Sequence, residues 1–266
     1  MSNGHSEEGI AATTGPDYND GYDYHERDRK PLVEWWTKVE GLTELKHCSP
    51  RPASEFFPDW FKKTPSMFDH PNPNEIEKNK STIKRCPAIP ELLTQGYVLP
   101  MWCDLVLSAD KGEWNSLSAG QFSPVTIHTK EQFLDYAPSW VQDEFSVVFK
   151  LASPWNVRTP EGYSMYQMPM WYHFNRNWTV FPGSTRTDFY YDVNPQLLFH
   201  TKEKEIIIKQ GEPIACYIPY KRIEYEYDVR EATPEDSLRT KGHSLRITSK
   251  FSDAYKNEVR MRKVKA

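Results

Sequence analysis

The side chains that could do chemistry in this 266-residue chain are scattered along it. His25, His47, His70, His128, His173, His200 and His243 never fall into an H-x-H, H-x-D or H-E-x-x-H spacing. A non-haem iron site asks for two histidines and a carboxylate. Separated residues such as His173, Asp188 and His200 would have to converge across a β barrel to supply one. The plainer expectation is histidines at the surface or the edge of a core. Ser153, Ser164 and Ser184 lack the G-x-S-x-G elbow that exposes a nucleophile. Cys48, Cys86, Cys103 and Cys216 form no C-x-x-C pair, so they read as buried free thiols and no metal is expected.

The most distinctive cluster is aromatic. Trp171, Tyr172, His173 and Phe174 run together, with Arg176 and Trp178 close behind. Rings at this density fit a protein interface or a stacking surface for sugar or single-stranded nucleic acid. They equally fit a core built of rings. Hydrophobic residues make up only 38% of the chain while aromatics reach 14%, so rings must supply much of the buried area.

The elements that position these residues follow from proline and alternation. With 21 prolines the chain favours short strands and rigid turns over long helices. Strands are predicted over Tyr97 to Leu107, with Asp104 as a strand-end hydrogen-bond acceptor, and over Val147 to Leu151, continuing through Trp155 to Val157 across a kink. A hairpin is predicted over Gly112 to Phe122 and a turn at Thr159 to Gly162. Further strands are expected at Tyr163 to Met168, Thr187 to Phe199, Ile206 to Lys209 and Ile214 to Pro219. Ser54 and Asp59 read as caps of one-turn helices, and Thr129 with Gln132 as a capping box. Gly96 fits the position just past a helix.

Residues 1–30 are polar and acidic, with tyrosines alternating among aspartates, and are expected to be a disordered arm. Residues 31–228 are expected to form one β-rich domain. Residues 229–266 read as a helical tail that starts at Thr233-Pro234-Glu235-Asp236 and grows basic through Lys256, Arg260, Arg262, Lys263 and Lys265. A net charge of −4 gives no global field toward nucleic acid, which leaves the basic tail as the place for such contact. No apolar run approaches the roughly 20 residues that span a bilayer, and no apolar leader core stands at the N-terminus. No membrane contact is expected.

Pro52-Ala53-Ser54, Phe56 and Pro58-Asp59-Trp60-Phe61-Lys62 resemble the front of an uncharacterised protein family of tailed bacteriophages, marine ones especially, and some bacteria. Thr82 to Pro87, Thr94 to Pro100, Ser153-Pro154-Trp155, Thr159 to Ser164 and Gly211 to Pro219 are similar to it as well. The resemblance covers roughly residues 45–225 and implies a phage protein with no assigned activity. The second half also resembles, more distantly, the β-clip fold of deoxyuridine triphosphatases and deoxycytidine triphosphate deaminases. Pro160-Glu161-Gly162-Tyr163 is similar to their turn before the central strand, and Gly211 to Ala215 to a later one. That resemblance would make Asp188 the activator of water and put Asp104 near a Mg²⁺ ion. Their metal-facing aspartate falls on Val98, their phosphate loop on Met170, Trp171 and Tyr172, and their glutamine on Cys216. Rings in that loop do not supply the cationic and backbone donors a triphosphate needs.

The expectation is therefore a mainly β protein, β-clip-like or a sandwich or barrel, with short peripheral helices, α+β overall. Its expected role is that of a bacteriophage protein without catalysis. It would act by protein–protein contact as an oligomeric virion or assembly component alongside other phage proteins, in the virion or the host cytoplasm, with no cofactor. The alternative is a nucleotide-binding or nucleotide-hydrolysing β-clip protein that uses Asp188, Asp104 and Mg²⁺.

Overall fold

Strong β-formers in short runs of two to nine residues, closed by proline, glycine or a polar turn, give a mainly β fold. The computed structural model describes residues 30–68, 82–110, 113–118, 125–200 and 205–249, with side chains as far as 241. The chain divides into two units, Met1–Leu32 and Val33–Ala266. The arm predicted over 1–30 lies outside the described residues except for Lys30, and the basic run 256–265 lies outside them entirely.

In chain order the first strands are β1 (Glu34–Thr37), β2 (Arg51–Pro52), β3 (Tyr97–Pro100), β4 (Leu105–Asp110) and β5 (Glu113–Ser118). They are followed by β6 (Val125–His128), β7 (Val147–Leu151), β8 (Trp155–Arg158), β9 (Tyr163–Pro169) and β10 (Trp178–Val180). The last are β11 (Gly183–Thr185), β12 (Gln196–Phe199), β13 (Glu205–Ile208) and β14 (Pro213–Lys221). Helices α1 (Asp59–Lys63), α2 (Ala88–Leu93) and α3 (Ser139–Glu144) are short, and α4 (Pro234–Ser249) is longer. The described fold is mainly β with peripheral helices, as its sequence predicts.

The strands form four antiparallel sheets, ordered β11-β9-β14-β3-β2, β10-β12-β7-β6, β13-β4-β5 and β1-β8. Their inner faces share one core. Leu99, Met165 and Tyr217 meet Phe149, Leu197 and Phe199, with Leu105, Leu107 and Ile208 from the third sheet and Trp155 and Val157 from the fourth. Rings do supply bulk here, and Trp178 is one of them.

The run predicted as one strand from Tyr97 to Leu107 is two strands. It breaks at Met101–Asp104, beside a matching break at Lys209–Glu212 between β13 and β14. At this corner Met101 N–H donates to the Glu212 carbonyl and Gly211 N–H to the Met101 carbonyl, each at 2.7 Å. Two paired segments thus turn together from one sheet into the next, and both sheets cover the same core. Gly96 sits two residues past the α2 C-cap Thr94 and has φ 75°. A Cβ there would stand 2.2 Å from the Tyr217 carbonyl oxygen, so only glycine lets the helix end drop into β3 against β14.

Other expectations need correction. The strand predicted over Thr187 to Phe199 is regular only at β12. Asn194 and Pro195 precede it, and 187–193 run irregularly along β8, joined through the Asn156–Asp192 bridge. Of the hairpin predicted over Gly112 to Phe122, 113–118 form the strand β5, which pairs with β4, and 112 and 119–122 lie outside the described residues. Ser54 and Asp59 cap nothing, because Pro52 and Pro58 hold the N-cap positions. The Thr129–Gln132 capping box forms, but it opens a 3-10 turn, and Phe133 at φ −151° stops that turn from becoming a helix.

The predicted start of α4 is present. Thr233 N–H donates to Asp236 at 2.9 Å and Asp236 N–H to the Thr233 hydroxyl at 3.2 Å, a reciprocal cap. The Arg230 guanidinium, then the Thr233 groups, pull the Asp236 carboxyl down to about 2. No helix among the described residues is long and apolar enough to cross a membrane.

Candidate functional site: an aromatic ledge

Strand β9 ends at Pro169, and the chain must reverse before β10 can enter the sheet beside β12. The reversal is closed by Asn175, whose Oδ1 accepts from Asn177 N–H at 2.8 Å and from Trp178 N–H at 3.1 Å. Between Pro169 and Asn175 lie the four aromatic residues that the sequence singles out.

The structure divides the cluster by role. Trp178 is buried in the main core. Trp171 and Tyr172 are half-buried against Phe61 of α1 and Ile89 and Leu93 of α2. His173 is half-buried, and Phe174 is 70% exposed. Arg176 stands exposed at the rim.

Two side-chain-to-backbone bonds fix the loop to the segment before it. The Trp60 indole N–H donates to the Tyr172 carbonyl at 2.7 Å. His173 Nε2 lies 3.0 Å from the Phe56 carbonyl, which can only accept, so Nε2 carries the proton. Burial pushes the His173 pKa below the ordinary histidine value, although the bond to Phe56 opposes this.

Fixing comes with strain. Tyr172 has φ 62° and Phe174 φ 53°, the left-handed region that costs a side-chain-bearing residue about 1–2 kcal/mol. Such backbone persists only where its surroundings over-determine it. Here the surroundings are rings. Phe174 lies 5.6 Å from Trp60 and meets Tyr172 edge-on at 6.3 Å. The result is a rigid ledge of Trp60, Tyr172 and Phe174. A cleft of about 410 Å³ adjoins it, with Trp171, Tyr172, Trp178 and Val180 in its walls beside Glu212 and Pro213. The buried Trp171 Nε1 has no hydrogen-bond partner among the described residues. The exposed Phe174 ring and the rings beside it suit stacking or an apolar side chain, while Asn175, Thr179 and Glu212 make the adjoining cleft polar as well as apolar.

The predicted carboxylates lie elsewhere and apart. Asp104 sits at the corner, accepting from Gln210 N–H at 2.8 Å and from Lys209 Nζ at 3.1 Å. These bonds hold its pKa below the usual carboxylate value. Asp188 is ion-paired with Arg222, whose Nη1 lies 3.2 Å from Oδ1, and accepts from Gly162 N–H at 3.2 Å. Arg222 first, then Gly162, keeps Asp188 well ionised against its partial burial. Gln210 precedes β14 and Arg222 follows it, so the two acids stand at opposite ends of a nine-residue strand, about 30 Å apart. One metal ion cannot bridge them.

His173, Asp188 and His200 do not meet either. Asp188 lies by the start of β9 and His173 beyond its end, while His200 packs edge-on to Phe145 at 5.4 Å. No group of three or more metal-ligating side chains forms among the described residues. All four cysteines are free, and burial raises Cys48, Cys103 and Cys216, the last to about 12.

Sequence reasoning missed three participants. Trp60 gives no signal beyond being one more ring, and Arg222 none beyond following a strand. The third is a buried polar chain beside a smaller cleft of about 180 Å³. In it Tyr217 OH donates to Gln167 Oε1 at 2.8 Å, and Gln167 Nε2 donates to Gln196 Oε1 at 3.0 Å. Gln167 at an inward strand position is the signal that could have found it. These groups satisfy one another, which is a structural role.

No family model matches the chain, and no curated protein does.

Proposed function

We propose that the protein works without catalysis, as a bacteriophage virion or assembly component that binds other proteins of the particle. Phe174 carries the reading. It is a large ring, mostly exposed, held on strained backbone and propped on Trp60. Ordering a free side chain at an interface costs about 0.5–1.5 kcal/mol, and here much of that ordering precedes binding. Aromatic residues ringed by polar ones are the usual anchors of protein interfaces. Arg176 and Asn175 furnish such a rim. The resemblance to phage proteins supplies the setting.

The test is incorporation. The chain is expected at stoichiometric level in purified particles. Phe174→Asp should deplete it there at least tenfold while leaving the melting temperature of the isolated chain within about 3 °C, as for an exposed site. Full incorporation of that variant, or absence of the native chain from particles, overturns the reading. So does a rise of several degrees in melting temperature with a deoxynucleotide and Mg²⁺, which would favour the nucleotide alternative.

A further inference from the structure

The smaller cleft, of about 180 Å³, takes its walls from both of the larger sheets and from the irregular run between β11 and β12. Its floor is finished. Met165 and Val157 are buried there, and Tyr217 and Gln167 are bonded to each other. Its polar walls are not finished. The Phe181 carbonyl can only accept, so Gln167 turns its Nε2 to it and to Gln196 Oε1, each at 3.0 Å. Gln196 Nε2, Lys150 Nζ, the Asn194 side-chain amide and the hydroxyls of Thr185 and Tyr190 make no hydrogen bond among the described residues. Asp192 uses one carboxylate oxygen, accepting from Asn156 Nδ2 at 2.9 Å, and keeps the other.

A ring stands at the same cleft. Tyr190 is 45% exposed, yet its loop is held in place. Tyr190 N–H donates to the Arg186 carbonyl at 3.0 Å, and Val157 N–H donates to the Tyr191 carbonyl at 2.9 Å. Other exposed rings lack such a setting. Tyr225 and Tyr227 follow β14 in a segment where apolar residues alternate with charged ones. They are 81% and 90% exposed, on backbone that makes no hydrogen bond among the described residues.

Size and charge narrow what the cleft can take. It is smaller than the about 300–1,000 Å³ of sites for drug-sized ligands. That leaves room for one small ring rather than a nucleotide or a peptide. Lys150 and Asp192 are the charged residues in its walls, one of each sign, and neither makes an ion pair among the described residues. An ion of either sign would meet one of them and be opposed by the other. A hydroxyl meets both, because it donates to a carboxylate and accepts from an ammonium. The Asn194 amide offers a donor and an acceptor side by side, which suits two neighbouring hydroxyls. The Tyr190 ring adds an apolar face of the kind that packs on the C–H side of a sugar.

We propose that this cleft binds one neutral hexose unit. Asp192, Lys150, Asn194 and Gln196 would hold its hydroxyls, and Tyr190 would cover one face of the ring. The site is separate from the ledge and does not depend on the assembly reading.

The probes are the methyl glycosides of glucose, galactose and mannose, added to the full chain labelled with ¹⁵N. At least one is expected to shift the side-chain amide signals of Asn194 and Gln196, with a Kd of about 1 mM for a ligand of this size. Each signal is identified by its loss in Asn194→Ala or Gln196→Ala. Tyr190→Ala should weaken binding at least tenfold, and so should Asn194→Ala read at Gln196. Both should keep the melting temperature within about 3 °C of the wild type. Phe174→Asp should leave sugar binding unchanged. Amide signals that do not move at about 50-fold that Kd, for any of the glycosides, overturn the proposal. So does binding that survives both substitutions, since the sugar then sits elsewhere. Glucuronate bound at least tenfold more tightly than the glucoside would make the cleft an anion site. Free glycine or serine shifting the amides where the glycosides do not would make it an amino-acid site. Either result also overturns the proposal, and none of these results bears on incorporation into particles.

Discussion

The loop at 171–174 and the strand-like segment at 223–229 are both aromatic and both reach solvent, yet they are built in opposite ways. The loop bonds its backbone to Trp60 and tolerates two left-handed residues to hold its rings in place. The segment holds its rings on backbone with no hydrogen-bond partner among the described residues, fixed to the sheets at Arg222. Rigidity in the loop comes from within the chain, so a partner gains most of the contact energy. Order in the segment must come from outside, and the partner has to supply hydrogen bonds as well as apolar cover.

That contrast breaks most readily at Trp60. Trp60→Ala removes the prop under Phe174 and the bond to Tyr172, and should cost about 3 kcal/mol in a denaturant titration. A loss below about 1 kcal/mol would mean that the ledge stands without it. Strain is the next point to probe. Phe174→Gly should be more stable than Phe174→Ala by about 1 kcal/mol, because alanine keeps the Cβ penalty at positive φ and glycine does not. Equal stabilities would remove strain from the account.

Acidity gives a smaller effect. His173 has a folded pKa below its unfolded one, so the unfolded chain binds the proton more readily. Stability attributable to it is whole above the unfolded pKa and declines as pH falls through and below that value. His173→Gln should flatten the dependence between about pH 7 and pH 5, and an unchanged slope would place the titrating group elsewhere. The smallest effect belongs to the segment. Tyr227→Ala should shift unfolding of the dilute chain by no more than about 0.5 kcal/mol. A larger loss would mean that the ring already packs within its own chain.

Much of the fold was legible because alternation and proline both act locally. β7, β9, β13 and β14 stand where their apolar patterns put them, and Thr233 opens its helix as its neighbours require. What failed was long-range. Nothing near Asp104 tells that Gln210 will bend the chain there, and nothing near Asp188 announces Arg222. The three residues of β10 and of β11 are too short to show a period. At the ledge the residue types were visible, but their division into core, prop and exposed ring was not. That division depends on Trp60, more than a hundred positions away. The alternation of Ile223, Tyr225, Tyr227 and Val229 with charged residues is plain in the sequence.

Strand β14 lies between β9 and β3, in the middle of the five-stranded sheet, and it is the last strand among the described residues. Synthesis runs from the N-terminus, so every other strand is made before the one that joins them. Until Lys221 has been added, β3 and β9 have no common neighbour and the Tyr217 side of the core stays open to water. The core therefore closes only once β14 has been made, and chains that end before it are left with β3 and β9 unjoined.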